Sequence, residues 1–143
     1  MSEARASLAA TVRVLVVPLA ALYLIALGAA PLFDVDEGAF AEATREMLQS
    51  GDWGHTTLNG ADRFDKPILV YWLQSVTMVL FGVNEFAARL PSALATVVAC
   101  IATAHVTGQR LGNNAGRLAG LVLASTAGFM LIGRAATADG LLN

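Results

Sequence analysis

Long uncharged tracts alternate with short charged clusters along this chain, and that alternation limits what it can fold into. Charges gather at residues 1–13, 34–66, 85–89 and 110–117, with Arg134 and Asp139 near the end. Only 14% of the 143 residues are charged, against about 25% in an ordinary soluble domain, and 56% are hydrophobic. Helices that bury uncharged tracts in hydrocarbon, joined by charged loops, satisfy this pattern. The net charge of −2 provides no basic stripe for nucleic acid. The one cysteine, Cys100, sits in an apolar tract, where it reads as a small core hydrophobe.

Residues 14–33 contain no charge and are long enough to cross about 30 Å of hydrocarbon as a helix. Pro18 falls in the first turns, where a missing N–H costs little. The tract is longer than the apolar part of a signal peptide, so a retained anchor is expected. Residues 90–109 and 115–133 read as two further spans. Residues 67–82 are short for a span and carry Gln74, Ser75 and Thr77. The arginines at 5 and 13 place the N-terminus in the cytoplasm. If residues 67–82 do not cross, Arg110 and Arg117 also fall in a short cytoplasmic loop. Segments 34–37 and 139 then share the outer surface. The expected fold is an all-α integral membrane domain of about three transmembrane helices. Surface-lying amphipathic helices occupy an outer loop over residues 34–89.

Within that loop, residues 37–50 place Phe40, Ala41, Thr44, Met47 and Leu48 at helical spacing. Asp34 followed three residues later by Glu37 resembles a capping box, and Gly51 is a stop signal. Pro67 suits the opening of a second helix.

Three features carry candidate chemistry. Asp36-Glu37 follows the first span; both acids suit the first turn of a helix, and a carboxylate at the membrane boundary can also accept a proton. Asp65-Lys66-Pro67 reads as a turn with a snorkelling lysine, or as a cation at head-group level that holds a phosphate. Arg134 with Asp139 marks a helix end, or adds a second carboxylate and another phosphate-binding cation. Arg89, four residues after Glu85, fits a surface helix pair. The histidines at 55 and 105 lie far apart, and no Cys/His metal spacing, P-loop or dinucleotide fingerprint occurs.

Four stretches taken together, DVDEGAFAEATREMLQSGDW (34–53), FDKPILVYWLQ (64–74), FGVNEFAARLPSAL (81–94) and RAATADGLL (134–142), resemble the N-terminal part of lipid-dependent membrane glycosyltransferases with the GT-C fold. The resemblance is to the branch holding bacterial aminoarabinose transferases and relatives of protein O-mannosyltransferases. It implies an active site on the outer face of the bacterial inner membrane, where a sugar moves from a polyprenyl phosphate to a lipid, glycan or protein, usually with inversion. It implies that Asp36 is the essential acid of the first outer loop, with Glu37 beside it. Lys66 contacts the donor phosphate, with Asp65 and Arg134 as further substrate-binding residues, and Asp139 is a second acid. It admits a divalent metal but supplies no clear ligand set. Ala39, Ile68 and Asp65 depart from residues common among aminoarabinose transferases, so the resemblance carries the reaction type further than the sugar. It also implies that this chain is the front of a longer transferase, inactive alone. The alternative is a small non-enzymatic membrane subunit in which the acids are caps and Gly116, Gly120 and Ala124 pack against partner helices.

Overall fold

The computed structural model describes residues 2–33, 35–64 and 66–142, with side chains omitted for residues 2–10 and 142. Seven helices and one small hairpin follow in order: α1 (Ser2–Leu24), α2 (Val35–Ser50), β1 (Thr57–Leu58), β2 (Ala61–Asp62), α3 (Leu69–Phe81), α4 (Glu85–Leu111), α5 (Asn113–Ser125), α6 (Ala127–Gly133) and α7 (Asp139–Leu142). The all-α membrane architecture expected from the sequence is what forms.

The central element is α4. Its 27 residues would rise about 40 Å, and among the described helices it alone is long and apolar enough to cross a bilayer. Asn84 caps it, accepting the Ala87 amide through its side chain at 2.9 Å. From α1, Leu15, Leu19 and Tyr23, with Leu27 beyond its end, pack on Leu90, Ala93, Val97, Cys100 and Ala104 of α4 and on Ala124 of α5. The four-residue spacing places them on one face, while Val14, Val16 and Val17 point outward. Cys100 is core, as expected. α4 and α5 lie close because Gly120 of α5 faces α4: a Cβ there would sit 2.8 Å from the Ala104 Cβ and 2.9 Å from the Cys100 carbonyl.

Two span boundaries need correction. The uncharged tract 14–33 is not one helix. α1 starts upstream at Ser2 and stops at Leu24, and residues 25–33 turn instead. Ala26 takes a positive φ of 55°. Gly28 brings the turn against α4, where a Cβ would lie 2.8 Å from that of Phe86. The carbonyls left over at the end of α1 are captured by side chains from elsewhere, described below. Residues 115–133 form two helices that meet at 68°. Ser125 and Thr126 turn their hydroxyls back to the Val122 and Leu123 carbonyls at 3.0 and 2.7 Å, and that side-chain competition ends α5. The two pieces pass as a span only when taken together.

α2 and α3, of 16 and 13 residues, are each shorter than a spanning helix of about 20. α3 is polar inside and apolar outside. Gln74, Ser75 and Thr77 are buried: Gln74 donates to the Ala88 carbonyl at 3.0 Å and accepts from Thr44 at 2.8 Å, and Thr77 donates to the Ala87 carbonyl at 2.7 Å. Leu69, Trp72, Leu73, Val76, Val79 and Leu80 are exposed at helical spacing. Water penalises that polarity and lipid favours it.

Candidate functional site

Asp36 and Glu37 are neighbours with different surroundings. Successive residues on a helix point about 100° apart, so at the first turn of α2 one carboxylate faces outward and the other inward. Glu37 is 1% exposed and Arg89 of α4 is 4% exposed. Arg89 Nε and Nη2 donate to Glu37 Oε1 and Oε2, both at 2.9 Å, a bidentate ion pair. Nη1 also donates to the Leu27 and Ala30 carbonyls at 3.0 and 2.7 Å, and Nη2 to the Pro31 carbonyl at 3.0 Å. A guanidinium has five N–H donors, and these five bonds use them all. Glu37 in turn accepts the Ala136 amide at 2.7 Å and the Phe33 amide at 3.3 Å. Burial pushes the Glu37 carboxyl up, but the bonds from Arg89 and from the two amides outweigh it and hold the group below its ordinary value.

This knot joins the turn after α1, the start of α2, the first turns of α4 and the segment before α7. It corrects two expectations. Glu37, expected at the reacting centre, has its oxygens committed to the frame and is not among the residues lining the cavity beside it. Arg89 pairs with Glu37, 52 residues away, and not with Glu85 on its own helix. The sequence signal was an arginine among apolar residues in FAARLPSAL, where an unpaired charge would be too costly to bury.

Around the knot opens a cavity of about 710 Å³ lined by Ala26, Leu27, Ala30, Phe33, Asp36, Arg89, Met130, Leu131, Ile132, Arg134, Ala135, Thr137 and Asp139. The structure thus brings Asp36 to one cavity with Arg134 and Asp139, which lie 98 and 103 residues further along the sequence. Asp36 and Asp139 are exposed. Arg134 also caps α1: Nη1 donates to the Leu22 carbonyl at 2.6 Å and Nη2 to the Ile25 carbonyl at 2.9 Å, satisfying groups that the helix end leaves open. The Ala136 amide bonds to Glu37 and the Thr137 carbonyl accepts the Ser92 hydroxyl at 3.2 Å, so the segment carrying Arg134 and Asp139 is held from both sides.

Lys66 lies outside this lining. Its Nζ stands 5.9 Å from the ring centroid of Phe40, which lies one helical turn after Asp36 but on the buried face of α2 with Glu37. Phe40 packs with Met47, Val70, Tyr71 and Ala138, and Ala138 adjoins Asp139. Asp65, also expected in the site, lies outside the described residues, as does Asp34 of the expected capping box. His55 pairs with Asp62 at 3.1 Å on the hairpin side, away from these groups. Among the described residues no three of His, Cys, Asp and Glu come together as a metal would need, so no step below is derived through one.

Helices surround a largely apolar cavity whose lining includes Asp36, Asp139, Arg89 and Arg134. The chain belongs to the dolichyl-phosphate-mannose-protein mannosyltransferase family, whose sequence pattern matches residues 65–143. It is 39% identical over 88 residues to the undecaprenyl phosphate-alpha-4-amino-4-deoxy-L-arabinose arabinosyl transferase of Shewanella sediminis, covering 62% of this chain and 16% of the relative. It is 45% identical over 74 residues to the enzyme of that name from Aeromonas hydrophila, covering 52% of this chain and 14% of the relative. The fold superposes on crystal structures of ArnT from Cupriavidus metallidurans, one bound to undecaprenyl phosphate and one in the apo state. In both cases the TM-score is 0.85, with 30% identity, over 92% of this chain and 24% of the other. This chain therefore spans about a quarter of the length of that structure, and less of the curated relatives.

Proposed function

We propose that this chain forms the front of a glycosyltransferase that moves a sugar from a polyprenyl phosphate to a lipid, glycan or protein acceptor. The reaction takes place at the outer face of a bacterial inner membrane. The observation that carries this reading is the meeting of Asp36, Arg134 and Asp139 around one cavity whose other walls, Arg89 and Thr137 apart, are apolar. The family membership and the relatives' names support it.

The chemistry follows from the placement. The bond between the sugar's anomeric carbon and the donor phosphate oxygen breaks, and a bond to the acceptor oxygen forms on the opposite face. The departing phosphate gains negative charge. Lys66 stabilises that charge from the Phe40 side and Arg134 from the cavity side, as preorganised cations do in a water-poor site. Asp36 takes the proton of a hydroxyl acceptor as its oxygen attacks. An acceptor that is itself an ionised phosphate has no proton to lose, and Asp36 then orients it. Asp139 is the second carboxylate of the site, and Glu37 and Arg89 hold the turn after α1, α2, α4 and the segment before α7 in register. The sugar is left open by Ala39, Ile68 and Asp65.

The test uses the full-length protein in lipid vesicles, with labelled polyprenyl-phosphate sugars and an outer-membrane lipid or protein extract as acceptor. Asp36→Asn should abolish transfer while leaving the protein folded. Near-normal turnover removes Asp36 from the mechanism. If the wild type transfers nothing and charge-neutral variants at 36 and 66 instead lose a membrane partner, the chain is a scaffold.

A further inference from the structure

Two buried glycines beside the site press on one face of α4. Gly133 precedes Arg134 and Gly140 follows Asp139. A Cβ on Gly133 would lie 2.5 Å from the Thr96 Oγ1 and 2.8 Å from its Cγ2. One on Gly140 would lie 2.7 Å from the Ser92 Cβ and 2.9 Å from the Ser92 Oγ. Ser92 and Thr96 are one helical turn apart, so they share a face, and both are buried. We propose that they are positioning residues: Ser92 seats Asp139, and Thr96 seats Arg134, at the spacing the reaction needs. This rests on the proposed transferase reading and deepens it.

Ser92 holds its segment at two points. Its hydroxyl donates to the Thr137 carbonyl at 3.2 Å, two residues before Asp139, and its side chain meets Gly140, one residue after. Thr96 turns its own hydroxyl to the Ser92 carbonyl at 2.9 Å, which fixes the atoms it presents to Gly133. Arg134 and Asp139 therefore reach the cavity from a short segment whose backbone rests on these two side chains.

α4 is the fixed partner in these contacts. Its first turns are tied by the five bonds of Arg89, and by Gln74 and Thr77 on the Ala88 and Ala87 carbonyls. α6 has seven residues and α7 has four, so they yield first. A methyl added at either glycine moves the short helix by about 1 Å to recover ordinary contact, and the charged side chain moves with it. Misplacement of that size costs up to about 10²-fold in rate. The competing explanation is that the glycines serve close packing alone. A variant would then lose stability while each folded molecule kept its normal rate.

The experiment measures kcat, competitive inhibition by a sugar-free polyprenyl phosphate, and melting temperature, using the full-length protein. Gly140→Ala should lower the kcat of the folded protein about tenfold or more, with that inhibition within about twofold. In a Ser92→Gly background, which removes the two nearer atoms, the same substitution should lower kcat less than about threefold. Gly133→Ala should instead weaken the inhibition about tenfold, because Arg134 meets the phosphate. Thr96→Ala, which removes the two nearest atoms, should recover part of that loss. Gly128→Ala, whose Cβ meets nothing within 4 Å, should change neither quantity. Unchanged kcat in folded Gly140→Ala, or a loss as large with Ser92→Gly as without it, overturns the assignment and leaves the transferase reading intact. If Gly140→Ala fails to fold, Ser92→Ala carries the test, since it removes the hydroxyl that holds Thr137. A kcat lowered at least about threefold in the folded protein supports the assignment, and an unchanged kcat overturns it. If the wild type transfers no sugar, that reading fails. Direct binding of polyprenyl phosphate to wild type, Gly133→Ala and Gly133→Ala/Thr96→Ala then decides the assignment, with equal affinities counting against it.

Discussion

Asp36 and Glu37 are chemically near-identical and adjacent, yet one lines an open cavity and the other is buried in a closed knot. The Glu37–Arg89 region spends every donor of its guanidinium on the frame. The region around Asp36, Arg134 and Asp139 keeps carboxylates exposed in a space of about 710 Å³. The contrast teaches that acidity at a helix start does not by itself make a site. The rotation of the helix decides which acid meets the interior, and the interior decides what that acid is for. A rigid pair beside a reactive acid is also how such a site keeps its geometry, because a charge with all its bonds made has one favourable arrangement.

The sharpest way to break this comparison is to neutralise each acid in the full-length protein. Asp36→Asn should lower transfer about 10²–10⁴-fold with an unchanged melting temperature, as loss of a general base does. Glu37→Gln should lower the melting temperature in detergent. If Glu37→Gln instead abolishes transfer in a protein as stable as wild type, the assignment of roles is reversed.

Next in size is Arg89→Met, which leaves a buried carboxylate unpaired and should cost about 3–5 kcal/mol in chemical unfolding. The double variant Glu37→Gln/Arg89→Met should cost clearly less than the two single losses combined, since it removes both charges together. Additive losses would mean that the two side chains do not act as a unit.

A smaller effect follows from pH. Glu37 is held below its ordinary value near 4.5, so the folded state prefers the ionised form. Its stabilisation is complete above the unfolded value and is lost as pH falls through the lower folded value. Stability should therefore decline below about pH 4.5, and Glu37→Gln should flatten that decline. An unchanged acid limb in the variant would show that the knot does not supply this stability.

The smallest is Tyr23→Phe. Tyr23 donates to the Ala124 carbonyl at 2.9 Å, where α5 approaches its break. Losing that bond should cost about 1 kcal/mol and leave transfer unchanged. A large loss of transfer would mean that the α5–α6 bend is set from α1.

Much of the frame was legible in the sequence. The uncharged tract at 90–109 lies within α4, and the periodicity from Phe40 to Met47 marks the buried face of α2. The shortness of residues 67–82 matches the 13-residue α3, and α3 buries their internal polar groups. Gathering Asp36, Arg134 and Asp139 on one surface followed from topology alone. The pairing of Arg89 was missed because its local neighbour Glu85 offered a cheaper explanation, and the break at Thr126 was hidden inside an unbroken apolar run.

The sequence by itself determined where charge cannot go, and so the membrane class, the order of the helices and the side of α2 that faces inward. These are local properties, set by burial energy and by the 3.6-residue turn. Only the tertiary structure decided where α1 ends, because the Leu22 carbonyl and those of the turn beyond it are taken by Arg134 and Arg89 from 59 to 112 residues away. It likewise decided which of two adjacent acids is left to the cavity. Those choices belong to partners distant in sequence, and a hydrogen bond leaves no periodicity along a chain when its donor and acceptor meet only after the helices have packed.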